Sequence, residues 1–565
     1  MAVSRALWVF FSILLLSLVV AVTFTVIHVL RQQKSCSGGF RHGTVAADSR
    51  VCSNIGRDIL KQGGSPVDSA IAALLCTSVI NPQSMGLGGG VIFTIYNAST
   101  GQVEVINARE RVPSRLTPGF MEPCKIPYPV RPGAQWIGVP GEIRGYEEAH
   151  RTYGRLPWKS LFEPTIQLIT EGVKVSSVLH RFLSFSILKP KIQESSLCQL
   201  FCNGTEVLDI NDTVNYTQLA HTLRTLADEG ADSFYQGKVA QGMLRDLWDQ
   251  GSNLTLDDFR NYKVDRTKAL VMPLGDYTLY SAPPPAGGAV LSFVLNILQG
   301  YNFSAHSMKD VNAKTETYHK IAEALKFANG QKARLALSQT QKNVKQITTS
   351  LLSPSFAQDI RRRIDLSGNH TLSYYDVSAP KEETYGTSHV SVIGQDGSSV
   401  SVTSSINHAF GSLVYSAKTG IIFNNQLADF CSTYPRNQDP LQGEQPPSSM
   451  SPSILLSRDK KSQLVVGGSG GSMIIAATAL SIMNKLWFGN NLSEAIAAPI
   501  LYVKADNALV FESSFDPIVK TNLNEKGHKV VEHLYFMNVV QGASQEGECL
   551  FGQSDLRKSG SAAGY

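Results

Sequence analysis

Gly386-Thr387-Ser388-His389-Val390-Ser391-Val392-Ile393, continued by Gly394-Gln395-Asp396-Gly397-Ser398-Ser399-Val400-Ser401-Val402-Thr403-Ser404-Ser405-Ile406-Asn407, is the stretch that decides how this chain is read. Small polar and apolar residues alternate on both sides of Asp396-Gly397, a strong local hairpin signal, so two paired strands are expected. Thr387 opens the first strand directly after a glycine, which can adopt backbone conformations closed to other residues. A hydroxyl so placed can attack the carbonyl of Gly386. The peptide becomes an ester, water hydrolyses it, and Thr387 is left with a free α-amino group. Such an amine has an unperturbed pKa of roughly 7.7–8.0 and can serve as general base for its own hydroxyl. The plain alternative is a surface hairpin rich in Ser and Thr, and the flanking sequence has to decide between the two.

The chain has 565 residues, 43% hydrophobic and 17% charged, enough to bury a large core and too many for one small domain. A net charge of +5 on this length is mild. With no basic run beyond Arg361-Arg362-Arg363, read as a solvated helix face, there is no case for nucleic acid binding. Leu7 to Leu30 is continuously apolar apart from scattered small hydroxyls and one histidine, long enough at about 1.5 Å per residue to cross a hydrocarbon core of about 30 Å. No small-residue cleavage site follows, and the run exceeds the usual signal-peptide core. A signal-anchor over residues 7–30 is expected, with residues 1–6 cytoplasmic and everything after about residue 31 outside.

Glycosylation triplets begin at Asn97, Asn203, Asn211, Asn215, Asn253, Asn302, Asn369 and Asn491, a density suited to an extracellular domain. The eight cysteines then belong to an oxidising compartment. Cys52 and Cys76 fall near two adjacent helices and could staple them; Cys198 and Cys202 are close enough to close a small loop. Cys36, Cys124, Cys431 and Cys549 are left unassigned. No cysteine pair has zinc-ligand spacing with a matching second pair, so no metal is expected.

Along the chain, helices are expected at Asp48 to Gln62 and Val67 to Val79, the second apolar nearly all round and therefore buried. Gly86-Leu87-Gly88-Gly89-Gly90 leads into a strand, Val91 to Tyr96. It lacks the ending of a phosphate loop and precedes a strand, so a packing role is expected. A strand from Val103 to Ile106 runs into Asn107-Ala108-Arg109-Glu110, where the planar fork of Arg109 could clamp a carboxylate. Residues 135–366 read as mostly helical, with Leu274 to Ser281 as a strand before a proline-rich turn and the helix Ala289 to Leu298. Leu372 to Gly386 reads as an exposed segment ahead of a cleavage point. Gly420 to Phe430 reads as a strand ending in amides and a carboxylate, and Cys431 to Pro447 as a mobile loop. Leu464-Val465-Val466, Gly467 to Gly471 and Ser472 to Trp487 read as strand, turn and helix; glycine amides at that helix start form a ready oxyanion site.

Together NPQSMGLGGG, INARE, GTSHVSV, FNNQLADF, PSSM, VVGGSGGS and SDLRKSGSAAGY, in that order, resemble the gamma-glutamyltransferase family of N-terminal-nucleophile hydrolases over essentially the whole chain after the anchor. VINPQSMGLGGGVIFTIYN, GAQWIGVPGE, PLGDYTLYS, MNKLWFG and NVVQGASQEG are most similar to the branch of that family that acts on leukotriene conjugates. The resemblance implies an α/β fold, a four-layer αββα sandwich. It also implies a self-cleaving precursor that yields a large subunit, 31–386, and a small subunit, 387–565, held together as a heterodimer. Carried over residue by residue, it makes Gly386–Thr387 the cleaved bond and Thr387 nucleophile and base, with Gly470 and Gly471 as the oxyanion hole. Arg109, Ser448 and Ser449 would hold the α-carboxylate of a γ-glutamyl group, and Asn407, Gln426 and Asp429 would face its α-ammonium. The implied substrates are glutathione and its S-conjugates, leukotriene C4 among them, with water, dipeptides or amino acids as acceptors. No cofactor or metal is implied, and the implied setting is the plasma membrane, single-pass type II, with the catalytic domain extracellular.

Two positions depart from the family pattern. Gln426 stands where glutamate is usual, keeping an acceptor but losing a charge, and Ser405 stands where threonine is usual, keeping the hydroxyl. Two further readings compete with the active γ-glutamyl enzyme. One is an impaired membrane glycoprotein that keeps the fold as a binding protein, for which Gln426 is the only feature. The other is a self-cleaving amidase of cephalosporin-acylase type, against which Arg109, Ser448, Ser449 and Asp429 argue, since each suits an α-amino acid head group.

Overall fold

The decisive hairpin forms, and both of its faces are covered. Ser388–Ile393 and Ser399–Ser405 pair antiparallel, from Ser388 opposite Ser404 to Ile393 opposite Ser399, and every residue of both strands is buried. The structure, a computed structural model, describes residues 2–32, 36–125, 131–338, 340–377, 386–433, 439–531 and 539–565. The pleat sends alternate side chains to opposite faces. Val390, Val392, Val400 and Val402 enter a core shared with the Pro66–Ile80 helix. The polar set faces a second sheet instead. Ser391 Oγ donates to Gln541 O at 3.2 Å, and Ser401 Oγ to Val466 O at 3.1 Å. His389 lies between them, its ring nitrogens 2.8 Å from Thr403 Oγ1 and 3.1 Å from Ser391 Oγ. A surface hairpin is thereby excluded.

Two antiparallel sheets stack face to face. The first runs Ala563–Gly564, Thr44–Ala46, Ser388–Ile393, Ser399–Ser405, Gly90–Asn97, Gln102–Ala108 and Asp265–Lys268. The second runs Cys549–Ser554, Val539–Glu546, Ser462–Ser469, Ser453–Ser457, Tyr277–Ser281 and Leu270–Leu274. Helices Arg50–Lys61 and Pro66–Ile80 cover the outer face of the first sheet, the latter started by a Ser65/Asp68 capping box. Gly288–Gln299, Val311–Ala336 and Ile474–Leu486 cover the second. The result is the four-layer αββα sandwich. Both of these sheets draw strands from both sides of Gly386–Thr387, so neither flank of that bond makes either of them by itself.

Several sequence expectations are corrected. The first hairpin strand starts at Ser388, one residue after Thr387. Leu274 to Ser281 is two strands, because Gly275, at φ +61°, turns the chain between Leu274 and Tyr277. Gly420 to Phe430 is no ladder strand. Its amides bond backbone groups instead, one near and two remote in sequence: Asn424 Oδ1 accepts from Gln426 N and Gly138 N, and Asn425 Oδ1 accepts from His408 N. Gln426–Thr433 then winds into a 3-10 turn. The three arginines are not one solvated face. Arg362 is exposed beside Asp359, whereas Arg361 donates to the carbonyls of Asn296 and Ile297, and Arg363 lies over Phe327 and Tyr374. In the segment expected to be exposed before the bond, Tyr375 is buried, and residues 378–385 lie outside the described residues, as do 434–438 of the expected mobile loop.

The Ala2–Gln32 helix contains one window, Leu7–Phe24, apolar and long enough to cross a membrane, with none of it buried against the rest of the protein. Four disulfides close: Cys36–Cys549, Cys52–Cys76, Cys124–Cys431 and Cys198–Cys202. Of the eight candidate glycan asparagines, Asn97 is half-buried and the others are exposed.

The closeness of the two sheets makes a test. A Cβ added at Gly467 would stand 2.3 Å from the His389 ring. Burial pushes that imidazole down to about 3, so it is neutral and fixed among hydroxyls. Gly467→Ala is expected to overpack the inter-sheet layer at a cost of ~1–3 kcal/mol, read as a lower urea midpoint.

Candidate active site

Thr387 shares the inter-sheet face of its strand with His389 and Ser391, at the end where the two sheets open. Its side chain is buried to 4% exposure, yet it borders a cavity of about 1230 Å³. The peptide ahead of it is held on both sides. Thr387 Oγ1 donates to Gly386 O, and Ser405 Oγ donates to the same oxygen at 2.9 Å. Two hydroxyls therefore polarise the one carbonyl that the threonine can reach. Gly386 sits at φ +148°, and a Cβ there would lie 2.2 Å from Asn407 O. Only glycine fits.

The Thr387 strand is fixed from below by groups far away in sequence. Lys558 Nζ donates to Thr387 O at 2.8 Å and to Asp48 Oδ2 at 2.7 Å. Asp48 also accepts from Ser388 Oγ at 2.7 Å and from Gln541 Nε2 at 2.6 Å. Sequence reading assigned no role to Asp48, Gln541 or Lys558. The only signal was the SDLRKSG landmark, which marks a family and not a contact.

The opposite wall carries the polar groups. Arg109, at the end of the Gln102–Ala108 strand, is 1% exposed. Its Nε donates to Pro446 O at 2.7 Å and its Nη2 to Pro447 O at 2.8 Å and to Asp429 Oδ2 at 2.7 Å. Gln426 Nε2 donates to that same carboxylate oxygen at 2.8 Å, leaving Gln426 Oε1 buried without a partner among the described residues. Burial raises the Asp429 carboxyl above its ordinary value, opposed by Arg109, Gln426 and Asn407. Ser448 and Ser449 are half-buried on the cavity wall, with Ser448 N donating to Pro285 O at 2.8 Å. Gly470 and Gly471 follow the Ser462–Ser469 strand at φ +117° and +60°, and Gly471 lines the cavity. Thr387, Ser405, Asn407, Gln426, Asp429, Arg109, Ser448, Ser449 and Gly471 thus border one space; Gly470 stands one residue behind it.

The lining of that space also takes in Leu325, Ala328, Val344, Leu352, Tyr502 and Val503, interspersed with Asn329, Lys332, Gln341, Lys345 and Thr348, a wall of mixed polarity. Beneath Arg109 lies a second group that sequence reading missed. Glu110 is fully buried, with no partner for either carboxyl oxygen among the described residues. Burial pushes it up to about 8, offset in part by Arg109 and reinforced by Asp429. Glu142, close by, is likewise pushed up to about 8 by burial, opposed by bonds from Tyr146 and Ser404.

A threonine heading an inner strand, between two sheets that are sandwiched by helices, is the layout of the N-terminal-nucleophile hydrolases. Solved structures with this fold include the cephalosporin acylase from Bacillus halodurans, with a TM-score of 0.81 and 24% identity over 93% of this chain and 96% of that one. Helicobacter pylori gamma-glutamyltranspeptidase follows at a TM-score of 0.51 and 24% identity, over 56% of this chain and 90% of that one. The family model for gamma-glutamyltranspeptidase matches residues 52–565. Glutathione hydrolase 5 proenzyme from Homo sapiens is 51% identical over 556 residues, covering 95% of each chain. This chain belongs to the gamma-glutamyltranspeptidase family, and it is an enzyme of γ-glutamyl hydrolysis and transfer.

Two measurements probe the geometry. Gly386→Ala, which meets both the backbone conformation and the Asn407 carbonyl, is expected to leave the chain uncut at that bond, a single band on a denaturing gel under reducing conditions. The second concerns Glu110. Its folded-state value stands above the 4.5 of an ordinary glutamate, so the folded protein keeps a proton that the unfolded chain has released. The stability it contributes is complete below pH 4.5 and is lost as pH rises through about 8. Glu110→Gln is expected to flatten the fall in thermal midpoint across that window, measured in a pH series.

Proposed function

We propose that the protein is a self-cleaving cell-surface enzyme that removes the γ-glutamyl group from glutathione and from glutathione S-conjugates, including conversion of leukotriene C4 to leukotriene D4. The carrying observation is a threonine hydroxyl beside a doubly polarised glycine carbonyl, bordering the same cavity as a buried arginine and carboxylate. In the first reaction Thr387 Oγ attacks the Gly386 carbonyl carbon, with Ser405 stabilising the developing oxyanion. The C–N bond breaks, the ester forms, and water releases Gly386 as a carboxylate and Thr387 with a free amine. The products are the large subunit, 31–386, and the small subunit, 387–565.

In the second reaction the Thr387 amine takes the hydroxyl proton as Oγ attacks the γ-carbonyl of the substrate. The amides of Gly470 and Gly471 receive the oxyanion, and the departing amine leaves with the proton. One such donor contributes roughly 10²–10³ in rate. Water, or the amine of a dipeptide or amino acid, then takes the acyl group. Arg109, Ser448 and Ser449 hold the substrate α-carboxylate; Asn407, Asp429 and the unpartnered Gln426 Oε1 receive the α-ammonium. Gln426 offers its acceptor without the charge of a glutamate. Asp429, shared with Arg109, supplies the negative charge on that side.

The size of the cavity, about 1230 Å³, supports room for an extended S-substituent on the glutathione moiety. The similarity to glutathione hydrolase 5 proenzyme from Homo sapiens supports the glutathione reading. The one candidate span among the described residues, Leu7–Phe24, and the glycan triplets, seven of them at exposed asparagines, support a type II anchor in the plasma membrane with the sandwich outside.

The test begins with N-terminal sequencing of the smaller band from a reduced denaturing gel, which should read Thr-Ser-His-Val. Initial rates on glutathione and leukotriene C4 follow. Arg109→Lys and Arg109→Ala should raise KM for both by roughly tenfold to a hundredfold, the loss of a charge-assisted pair worth ~1.5–3 kcal/mol. An intact single chain, or an unchanged KM, would sink the reading.

A further inference from the structure

Two of the four disulfides place one cysteine on each side of the Gly386–Thr387 bond: Cys36 with Cys549, and Cys124 with Cys431. The other two lie wholly on the N-terminal side, and both cysteines of Cys52–Cys76 are fully buried. Cys36–Cys549 joins the start of the sandwich to the edge strand Cys549–Ser554. Cys124–Cys431 stands elsewhere. Cys431 is half-buried, borders the substrate cavity, and belongs to the Gln426–Thr433 turn that carries Gln426 and Asp429. Cys124 sits on the short turn Glu122–Lys125, in which no residue is buried. The bridge packs at the margin of a small cluster made by Val112, Phe120, Trp136, Leu427 and Phe430. It is therefore the covalent brace between that outlying turn and the wall of the pocket.

We infer that Cys124–Cys431 is a thiol-exchange site open to the substrate cavity, taking small thiol compounds of the class of glutathione and cysteinylglycine, and that opening it loosens the turn bearing Gln426 and Asp429. A thiolate in the cavity attacks Sγ of Cys431, the cysteine of the pair that lines the cavity. A new S–S bond forms there, the Cys124–Cys431 bond breaks, and the electron pair leaves on Cys124 Sγ, which takes a proton from water. A second thiolate attacks the mixed disulfide and frees Cys431 as a thiol. Two small thiols are oxidised to one disulfide while the protein bridge is reduced to two thiols. Access separates this bridge from Cys52–Cys76, which no solute reaches; Cys36–Cys549 and Cys198–Cys202 are half-buried as it is, and what sets it apart from them is that Cys431 lines the cavity. With Cys36–Cys549 intact the two halves of the chain remain joined, so exchange alters the pocket and not the assembly. The exchange itself does not depend on Thr387. Its kinetic effect rests on the proposed assignment of Gln426 and Asp429 to the γ-glutamyl group.

The test uses the full chain in detergent, equilibrated with 2-mercaptoethanol and its disulfide at stepped ratios. Free thiols are then blocked and cross-linked peptides mapped by mass spectrometry, beside initial rates on a γ-glutamyl anilide, which carries no thiol. A mercaptoethanol adduct is expected on Cys431 at intermediate ratios, with Cys124–Cys431 opening before Cys36–Cys549 and Cys52–Cys76. KM should rise several-fold in step with that opening while kcat stays nearly constant. The double variant Cys124→Ser, Cys431→Ser should show the raised KM at every ratio. An adduct on Cys124 in place of Cys431, or a bridge that opens last, overturns the exchange site. A mapped opening with KM unchanged overturns the coupling to the pocket. If the adduct forms on Cys431 and no anilide is turned over in either state, the exchange site stands and the proposed function fails.

Discussion

The ammonium group of Lys558 joins three parts of the chain that are remote in sequence, donating to Asp48 near the start of the sandwich and to the carbonyl of Thr387 in its middle. Neither side chain of the ion pair has more than 4% exposure. A buried pair of this kind adds little net stability over an apolar replacement, but removing one partner strands the other without water. Its value lies in placement. Asp48 also accepts from Ser388 and Gln541, so the network reports whether the first sheet and the second have come together in register. The Thr44–Ala46 strand pairs with Ala563–Gly564 on one side and with Ser391–Ile393 on the other. Both ends of the sandwich must therefore be in place before the Thr387 carbonyl is held.

The inter-sheet layer obeys the same logic. Most sandwiches fill this space with apolar side chains, and part of it here is apolar, from Ile92, Val105, Ile454 and Val465. Next to that patch runs a row of hydroxyls, Ser391, Ser401, Thr403 and Ser453, with His389 among them. Ser391 and Ser401 donate to backbone carbonyls across the gap, Ser453 N donates back to Ser401 Oγ, and Thr403 and His389 satisfy each other within the first sheet, which makes burial of these polar groups tolerable. Directional bonds tolerate less sliding than methyl contacts do. Thr387 and Ser405 extend the row to its open end, where the same two faces that bond each other inside the sandwich present their hydroxyls to the cavity.

How much of this could be read in the sequence depended on the range of the interaction. The hairpin was legible because its alternation and its Asp396-Gly397 turn are local, and so were the helices at Arg50–Lys61 and Pro66–Ile80, which differ from expectation by a residue or two at each end. The covering of the polar face was not legible, since a run of Ser and Thr looks the same whether water or a second sheet lies above it. Gly420 to Phe430 was misread as strand because its amides are spent on backbone groups of Gly88, Arg131, Gly138 and His408, remote in sequence, which no hydropathy pattern records. Arg109 stood out by its position after a strand, while Glu110 beside it did not, for burial of a carboxyl belongs to the tertiary fold. Lys558 reaches Thr387 across 171 residues, and the Cys36 and Cys124 bridges close over 513 and 307 residues. No spacing rule covers such distances.

The interleaving of strands from both sides of Gly386–Thr387 has a topological consequence. A chain cut at that bond has lost the connection on which its first folding relied, and the cross-links at Cys36–Cys549 and Cys124–Cys431 become the replacement covalent path between its halves. While they are oxidised, recovery from unfolding is a unimolecular search with a new connectivity, closer to a rewired chain than to two pieces. Once they are reduced, the same recovery becomes an encounter between two molecules and its yield falls with dilution. The history of the protein, whether it was cut before or after it was last unfolded, is in this way written into the order of its refolding.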